Sequence, residues 1–481
     1  MALTSGQQFA TFIGFLINAI PASSRMFDKT AIKRRNFIAG IGSVPLLVNS
    51  RDVAMNKRIS PEPLSNNESD LLRLGIIGFG ARGEALVKTV TKELNIEWHG
   101  VSDVYNKRLE TGVAIAGTNA RGHQNYIDLL DREDIDAVII ATPDHWHAKM
   151  AIDAAQRGKH IYLEKCMTRT VDEAVALRDA IRQSGVVFQL GHQGRQRDLN
   201  HKAKELIGKG TIGQITLIET TTNRNDSPGG WSNGNEERAS PETVDWGLFQ
   251  GDSSGQSGFS RERYYNWRSY WDYGTGMSGD LFSNEYDAVN SILDLGIPSS
   301  AMASGGIYYH HDGREVPDVF QAAFEFPDRR FTLLYSGTLA SGIPRGTLFM
   351  GRDATLELGR SLTVWADKDS LKYKGRIESA MMDPSTPFIR YDKEQIDVDA
   401  ISSPTSKYHA DRGLVETYSA GKRINTPYLH LAEWLRCIRN GGLTSCNVER
   451  GFEEAIVAHM ATISFREERK VHWDVQNERI I

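Results

Sequence analysis

From Leu72 onward, short apolar runs alternate with stretches in which apolar residues recur every three or four positions. The runs Leu72–Gly78, Ile96–Val104, Asp136–Thr142, His160–Lys165 and Val186–Gly191 read as strands. Between them Glu84–Glu93, His147–Arg157 and Val171–Ser184 read as amphipathic helices. Strands separated by helices predict a parallel, doubly wound sheet with right-handed crossovers. Beyond residue 195 the regularity stops: strand-like runs at Gln214–Thr222, Val319–Phe326 and Phe331–Gly337 are joined by long connections. An amphipathic helix beginning at His430 and running through Arg439 is expected to pack in the core of this second domain. Ahead of Asp70 the chain is polar and Asn/Ser/Pro-rich, apart from short apolar runs at Phe9–Ile20 and Ile38–Val48. The expected organisation is therefore a leader and linker over 1–70, a first α/β domain over 71–195 and a second over 196–481.

Composition narrows the class. With 40% hydrophobic and 24% charged residues the chain is an ordinary globular protein, which excludes disordered, collagen-like and membrane-embedded classes. A net charge of −5 offers no basic face for nucleic acid. Three cysteines, none in a CxxC pair, form no disulfide framework. No run reaches the roughly 18–20 apolar residues that span a bilayer. Lys33-Arg34-Arg35-Asn36-Phe37-Ile38 followed by the apolar run to Val48 has the layout of a twin-arginine export signal. It implies a periplasmic or secreted protein, and a cytoplasmic one if the signal is not used. Such export carries folded proteins, which suits an enzyme that acquires its cofactor first.

The first strand runs directly into Gly78-Phe79-Gly80-Ala81-Arg82-Gly83, and a helix follows. A GxGxxG alone says little; at a strand-to-helix turn it is a dinucleotide-binding signature. Gly78 permits the tight turn, Gly80 lets the backbone approach a pyrophosphate, and Gly83 lets the helix pack closely. The helix N-terminus offers free N–H groups to phosphate. Asp103, 20 residues after Gly83, stands where an acid holds the adenosine ribose and repels a 2′-phosphate, favouring NAD over NADP. Lys107 and Arg108 soften that preference.

Further segments narrow the reading: Ala141-Thr142-Pro143-Asp144-His145-Trp146-His147, then Glu164-Lys165-Cys166-Met167, Trp271-Asp272-Tyr273-Gly274-Thr275-Gly276 and Gly351-Arg352-Asp353-Ala354-Thr355-Leu356-Glu357. Together with the glycine loop they resemble the glucose–fructose oxidoreductase / inositol dehydrogenase family, written Gfo/Idh/MocA, from Leu72 to near the C-terminus. The resemblance implies a Rossmann domain followed by an α/β domain on a large open, mostly antiparallel sheet. It also implies hydride transfer between a sugar carbon and NAD, with Thr142, Pro143, His147 and Glu164 joining the glycine loop around the cofactor, and a homo-oligomer.

In the family's Glu-Lys-Pro segment the lysine handles the hydroxyl proton, and its match is Lys165. Burial beside a nicotinamide ring is expected to lower its pKa toward neutrality. Cys166 stands in place of the family's proline, which would fix the turn and support a cis peptide. The family's second catalytic element, Asp followed by His, matches Asp280 and Asn284. An amide holds a hydroxyl but carries no proton near neutral pH, which leaves Lys165 alone or substituted by Tyr286, His192 or Asp280. On a regular helix Asp280, Asn284 and Asp287 share one face toward the cleft. His145 and His147 have HxH spacing, but no carboxylate or cysteine cluster completes a metal site.

The aromatic stretch Arg261–Tyr273 contains Tyr264, Tyr265, Trp267, Tyr270, Trp271 and Tyr273. Aromatic faces pack on the C–H faces of sugar rings, with Arg268 and Asp272 available for hydroxyls. Trp267, Arg268, His192, Asp280, Asn284 and Lys165 form the expected substrate set. The long polar stretch Asn223–Ser240 is a candidate lid. Two other functions compete with plain hydride transfer. One is an NAD-dependent glycosidase working by transient oxidation, elimination and reduction, whose family branch lacks the Glu-Lys found here. The other is a non-catalytic sugar or cofactor sensor, suggested by Asn284.

Overall fold

The first apolar runs are continuous rather than alternating because their strands are covered on both faces. In the computed structural model, which describes residues 70–90, 94–225, 231, 239–251, 258–392, 418–419, 422–423 and 426–481, six strands form one parallel sheet. They are β1 (Leu72–Ile77), β2 (Ile96–Ser102), β3 (Arg121–His123), β4 (Ala137–Ile140), β5 (His160–Leu163) and β6 (Phe188–Leu190), in the order β3-β2-β1-β4-β5-β6. Leu74, Ile76, Val138, Ile139, Ile161 and Leu163 are fully buried. The strand order reverses between β1 and β4, so a crevice opens beyond their carboxyl ends, where sheets of this topology bind ligands.

Helix ends follow the local chemistry. Val171–Ser184 forms between the bounds the pattern predicts, because Thr170 and Glu173 make a capping box and Gly185 closes the helix with φ 68°. The helix Asn106–Ala116 escaped the pattern, since Gly112 is its sole fully buried residue and an apolar stripe is lacking. β3, with the sequence Arg-Gly-His, carries no apolar run either.

The second half is built on a larger sheet. Its strands are β7 (Ile215–Asn223), β8 (Ser300–Gly306), β9 (Val319–Phe326), β10 (Phe331–Thr338), β11 (Thr347–Gly351), β12 (Ala354–Leu358), β13 (Leu362–Ala366) and β14 (Ile389–Tyr391). A short separate ladder joins β15 (Tyr418–Ser419) to β16 (Lys422–Arg423). With β17 (Val471–Asp474) and β18 (Arg479–Ile480), the ten described strands run β14-β13-β12-β11-β7-β10-β9-β8-β17-β18. Pairing is antiparallel except between β7 and β10. In β9 the buried Phe320, Ala322, Phe324 and Phe326 alternate with more exposed neighbours, so one face is covered. The helices Ser283–Leu293 and Val448–Glu467 cover it, with Phe282 stacked on Phe324 at 4.7 Å and Ser464 Oγ accepting from Ala303 N. The fold is α/β, a Rossmann sheet followed by a mostly antiparallel sheet, as expected.

One expectation is corrected. The helix Thr426–Asn440 does not pack in the second domain's core; Leu431, Trp434 and Leu435 join Leu74, Ile76 and Leu86 beside the first sheet. Arg439 ties its end to the carbonyls of Asp70, Leu94 and Asn95. An amphipathic stripe shows that a face is buried, not which surface receives it. The Lys33–Ile38 motif and most of the Asn223–Ser240 stretch lie outside the described residues. No described helix is long and apolar enough to cross a membrane.

Candidate active site

β1 ends at Ile77 and the chain turns at Gly78 with φ 88°. A Cβ there would lie 2.7 Å from the Ala141 carbonyl oxygen. A Cβ on Gly83 would lie 2.1 Å from the Gly78 oxygen, so the helix Ala81–Thr89 seats directly on the loop. At Gly80 the nearest atom to such a Cβ is Arg108 Nη1 at 3.6 Å. That glycine therefore leaves room on the cleft side, and no side chain caps the helix that follows it. Open space before uncapped N–H groups suits a pyrophosphate. At the end of β2, Asp103 is held by its backbone neighbours: Oδ2 accepts from Phe79 N at 2.7 Å and Oδ1 from Tyr105 N at 2.8 Å.

These elements surround a cleft of about 330 Å³. Gly78, Gly80, Ala81, Arg82, Asp103, Thr142, Pro143, Glu164 and Lys165 line it, with Trp267 and Arg268 from the second half. Glu164 pairs with Arg82 at 2.7 Å, tying β5 to the glycine loop. Phe79, Gly83 and His147 are not among the lining residues; Phe79 is buried against the position of Gly112. His147 is fully buried and bridges two strand ends, with Nδ1 2.5 Å from the Cys166 carbonyl oxygen and Nε2 2.9 Å from that of Thr142. Its place is that of a strut. The residues present fit a dinucleotide: Gly78 and Gly83 without room for a Cβ, open space at Gly80, an uncapped helix and an anchored acid after β2.

The aromatic stretch divides between the two ends of the cleft. Arg108 donates to the Tyr264 hydroxyl at 3.1 Å and stacks 5.2 Å from its ring, so Tyr264 and Tyr265 wall the Asp103 end. Tyr270 and Tyr273 are buried in a cluster with Phe249, and Asp272 pairs with Arg263. Arg268 shares the Asp280 carboxylate with Lys165, and Trp267 lies against its guanidinium in the same cleft.

Lys165 follows β5, and the Lys165–Cys166 peptide is cis. Its Nζ donates to both the backbone oxygen and the carboxylate of Asp280. Asp280 Oδ1 also accepts from Arg268 Nε at 3.0 Å, and Oδ2 from Trp231 Nε1 at 2.6 Å. Burial pushes the Asp280 carboxyl up, but Lys165 and Arg268 outweigh it and hold the group well below the usual carboxylate range. For Lys165, burial alone would lower the pKa; the Asp280 charge outweighs it and the net direction is upward. This corrects the expectation of a near-neutral lysine, which counted burial and no partner. Burial likewise pushes the Cys166 thiol well up, which favours the protonated thiol over the thiolate.

The second expected element is rearranged. Ser278–Phe282 is a π-helical turn ahead of the helix Ser283–Leu293. Its extra residue per turn breaks the i, i+4, i+7 register, which corrects the shared-face expectation. Asp280 meets Lys165, while Asp287 is buried in an ion pair with Arg195, Nη2 to Oδ1 at 2.6 Å. Asn284 is exposed and donates to the Asp280 carbonyl at 3.0 Å. The proposed stand-ins Tyr286 and His192 lie away from the cleft lining. Tyr286 is buried and donates to the Gly296 carbonyl at 2.7 Å. His192 is buried 3.8 Å from Glu454, where burial would lower its pKa but Asp287 and Glu454 raise it. His145 Nε2 donates to the Phe249 carbonyl at 2.7 Å, and burial pushes its pKa down to about 4, leaving it neutral. Sequence reasoning missed Trp231; a lone large apolar residue in a Gly-rich polar stretch was the available signal.

Residues 72–192 match the family described as the Gfo/Idh/MocA oxidoreductase family, NAD-binding Rossmann fold, and residues 249–473 match its C-terminal alpha/beta domain. The chain belongs to the Gfo/Idh/MocA oxidoreductases. Residues 72–192 are an NAD-binding Rossmann domain. An uncharacterized oxidoreductase of Streptococcus pneumoniae serotype 4 is 27% identical over 274 residues, 56% of this chain and 63% of that protein. An alpha-N-acetylgalactosaminidase of Shewanella oneidensis is 30% identical over 167 residues, 31% of this chain and 36% of that protein. The chain thus spans less than two thirds of the length of these relatives. Levoglucosan dehydrogenase in complex with NADH shares the fold, with TM-score 0.61 at 18% identity over 84% of this chain and 99% of that one.

Proposed function

We propose that this Gfo/Idh/MocA oxidoreductase moves a hydride between a hydroxyl-bearing carbon of a sugar or glycoside and NAD. The observation that carries the reading is the Lys165–Asp280 pair, set at the carboxyl end of β5 in the cleft that begins at the glycine loop. When bound, NAD supplies the hydride acceptor or donor. The glycine loop holds its phosphates and Asp103 its adenosine ribose, the acid favouring NAD over NADP. Among the lining residues Lys165 is the group assigned the hydroxyl proton. As the ammonium favoured by Asp280 it gives a proton to a carbonyl oxygen in the reducing direction. Oxidation requires the neutral amine, whose population grows with pH. Asp280 sets that balance, and Asn284 steadies the Asp280 backbone.

Support for a sugar comes from the fold shared with levoglucosan dehydrogenase. The similarity to an alpha-N-acetylgalactosaminidase over 167 residues favours a second reading, glycoside cleavage by transient oxidation. A panel of sugars and aryl glycosides with NAD separates the two: net NADH for the first, aglycone release without net NADH for the second. Lys165→Ala should lose at least about two orders of magnitude in turnover while still binding NAD. Near-parental turnover would remove Lys165 from the mechanism. We also propose export through the Lys33–Ile38 motif to the periplasm or medium; export of an Arg34→Lys, Arg35→Lys double variant at the parental level would reject it.

A further inference from the structure

We infer that the sugar carries a carboxylate, and that Arg268 receives it beside Lys165. The inference deepens the sugar-oxidoreductase reading and rests on it. Arg268 lines the cleft and spends one donor on Asp280, Nε to Oδ1 at 3.0 Å. Among the described residues its Nη1 and Nη2 make no hydrogen bond to protein. Its guanidinium carbon lies 4.1 Å from the centroid of the Trp267 ring, a cation–π contact that with the Asp280 bond restrains the group, and the side chain stays 29% exposed. A guanidinium held at Nε and against a ring, with both terminal nitrogens free, can take a carboxylate through two parallel hydrogen bonds.

Charge balance points the same way. Asp280 is shared by Lys165, Arg268 and the Trp231 N–H, so two cations face one carboxylate. The next acid, Glu285, accepts from Thr220 and Thr222; burial pushes its carboxyl up, against the pull of Arg197 and Arg224. Asp144 accepts from the Thr275 hydroxyl, and burial pushes it up against the pull of His147, Arg268 and Lys165. Both acids are thus biased toward neutral forms, which leaves Lys165 and Arg268 as two cations on the single Asp280 carboxylate. A neutral sugar leaves that excess unanswered. A carboxylate cancels it, and desolvated charge is stable only when paired.

The test uses the full chain with NAD and matched pairs of glucose with glucuronate and galactose with galacturonate, plus the two sugar 6-phosphates. A charge-assisted hydrogen-bond pair predicts a preference for the uronate of about 10- to 100-fold in kcat/KM. Arg268→Gln should erase most of that ratio, chiefly through KM, and leave the Kd for NAD unchanged. Arg268→Lys, which keeps the charge and loses the fork, should retain part of it. Equal turnover of neutral sugar and uronate overturns the inference while leaving the oxidoreductase reading intact. So does preference for the phosphates, an Arg268→Gln loss shared equally by both members of each pair, or a matching loss of NAD affinity. No hydride transfer from any member overturns both readings.

Discussion

Asp280→Asn tests the electrostatics of the proposed centre. The substitution keeps the shape and one carbonyl-type acceptor but removes the charge that Lys165, Arg268 and Trp231 share. Lys165 would then be a buried ammonium beside Arg268, and both burial and the neighbouring cation push its pKa down. Losing an opposite charge at contact range moves a pKa by about 1–3 units, each worth about 1.36 kcal/mol. Oxidation needs the neutral amine, so its kcat should rise with pH through the Lys165 pKa, and reduction should fall through the same range. In Asp280→Asn both inflections should move to lower pH by about 1–3 units. The plateau rate falls as well, because Arg268 and Trp231 lose the group that orients them. The assay is the pH profile of kcat in both directions at saturating NAD or NADH, with cofactor titration as the check on folding. The inflection belongs to the pair rather than to either residue alone, so the displacement between parent and variant is the quantity to read. An inflection that stays in place, or moves up, refutes the coupling of Asp280 to the titrating group.

The glycine loop separates binding from folding. Gly80→Ala should leave the unfolding midpoint near the parent's yet weaken NAD at least about tenfold, since the new methyl stands where the backbone must approach the pyrophosphate. Gly83→Ala drives a Cβ into the Gly78 carbonyl and should cost about 1–3 kcal/mol in denaturant unfolding. Asp103→Ser should relax the cofactor preference toward NADP in a binding titration, because Arg108 remains near Gly80 to meet a 2′-phosphate; an unchanged preference would reject Asp103 as the selector. Asp287→Ala strands Arg195, only 8% exposed, and should cost about 3–5 kcal/mol in chemical denaturation. A loss confined to activity would instead restore Asp287 to the cleft.

What the sequence reveals and what it hides divide along a physical line. Val171–Ser184 is legible to the residue because its start and stop signals are local, a capping box and a left-handed glycine. The ends of β1, β2, β4 and β5 are legible for the same reason, and they place Gly78, Asp103, Thr142 and Lys165 together, since parallel strands in register deliver their carboxyl ends to one edge. The helix Asn106–Ala116 is hidden because Gly112 gives close approach without an apolar stripe. The docking of Thr426–Asn440 is hidden because any apolar surface satisfies its pattern. The charge state of Lys165 is hidden for a stronger reason. Lys165 and Asp280 were each identifiable by motif, but burial and ion pairing act on a lysine with opposite signs. Which one wins depends on whether the carboxylate arrives, and a π turn brings Asp280 to it across 115 positions of chain. No spacing rule for regular helices encodes that turn. The sign of the titration is therefore a tertiary property, and the same contact that sets it leaves the terminal nitrogens of Arg268 free in the cleft.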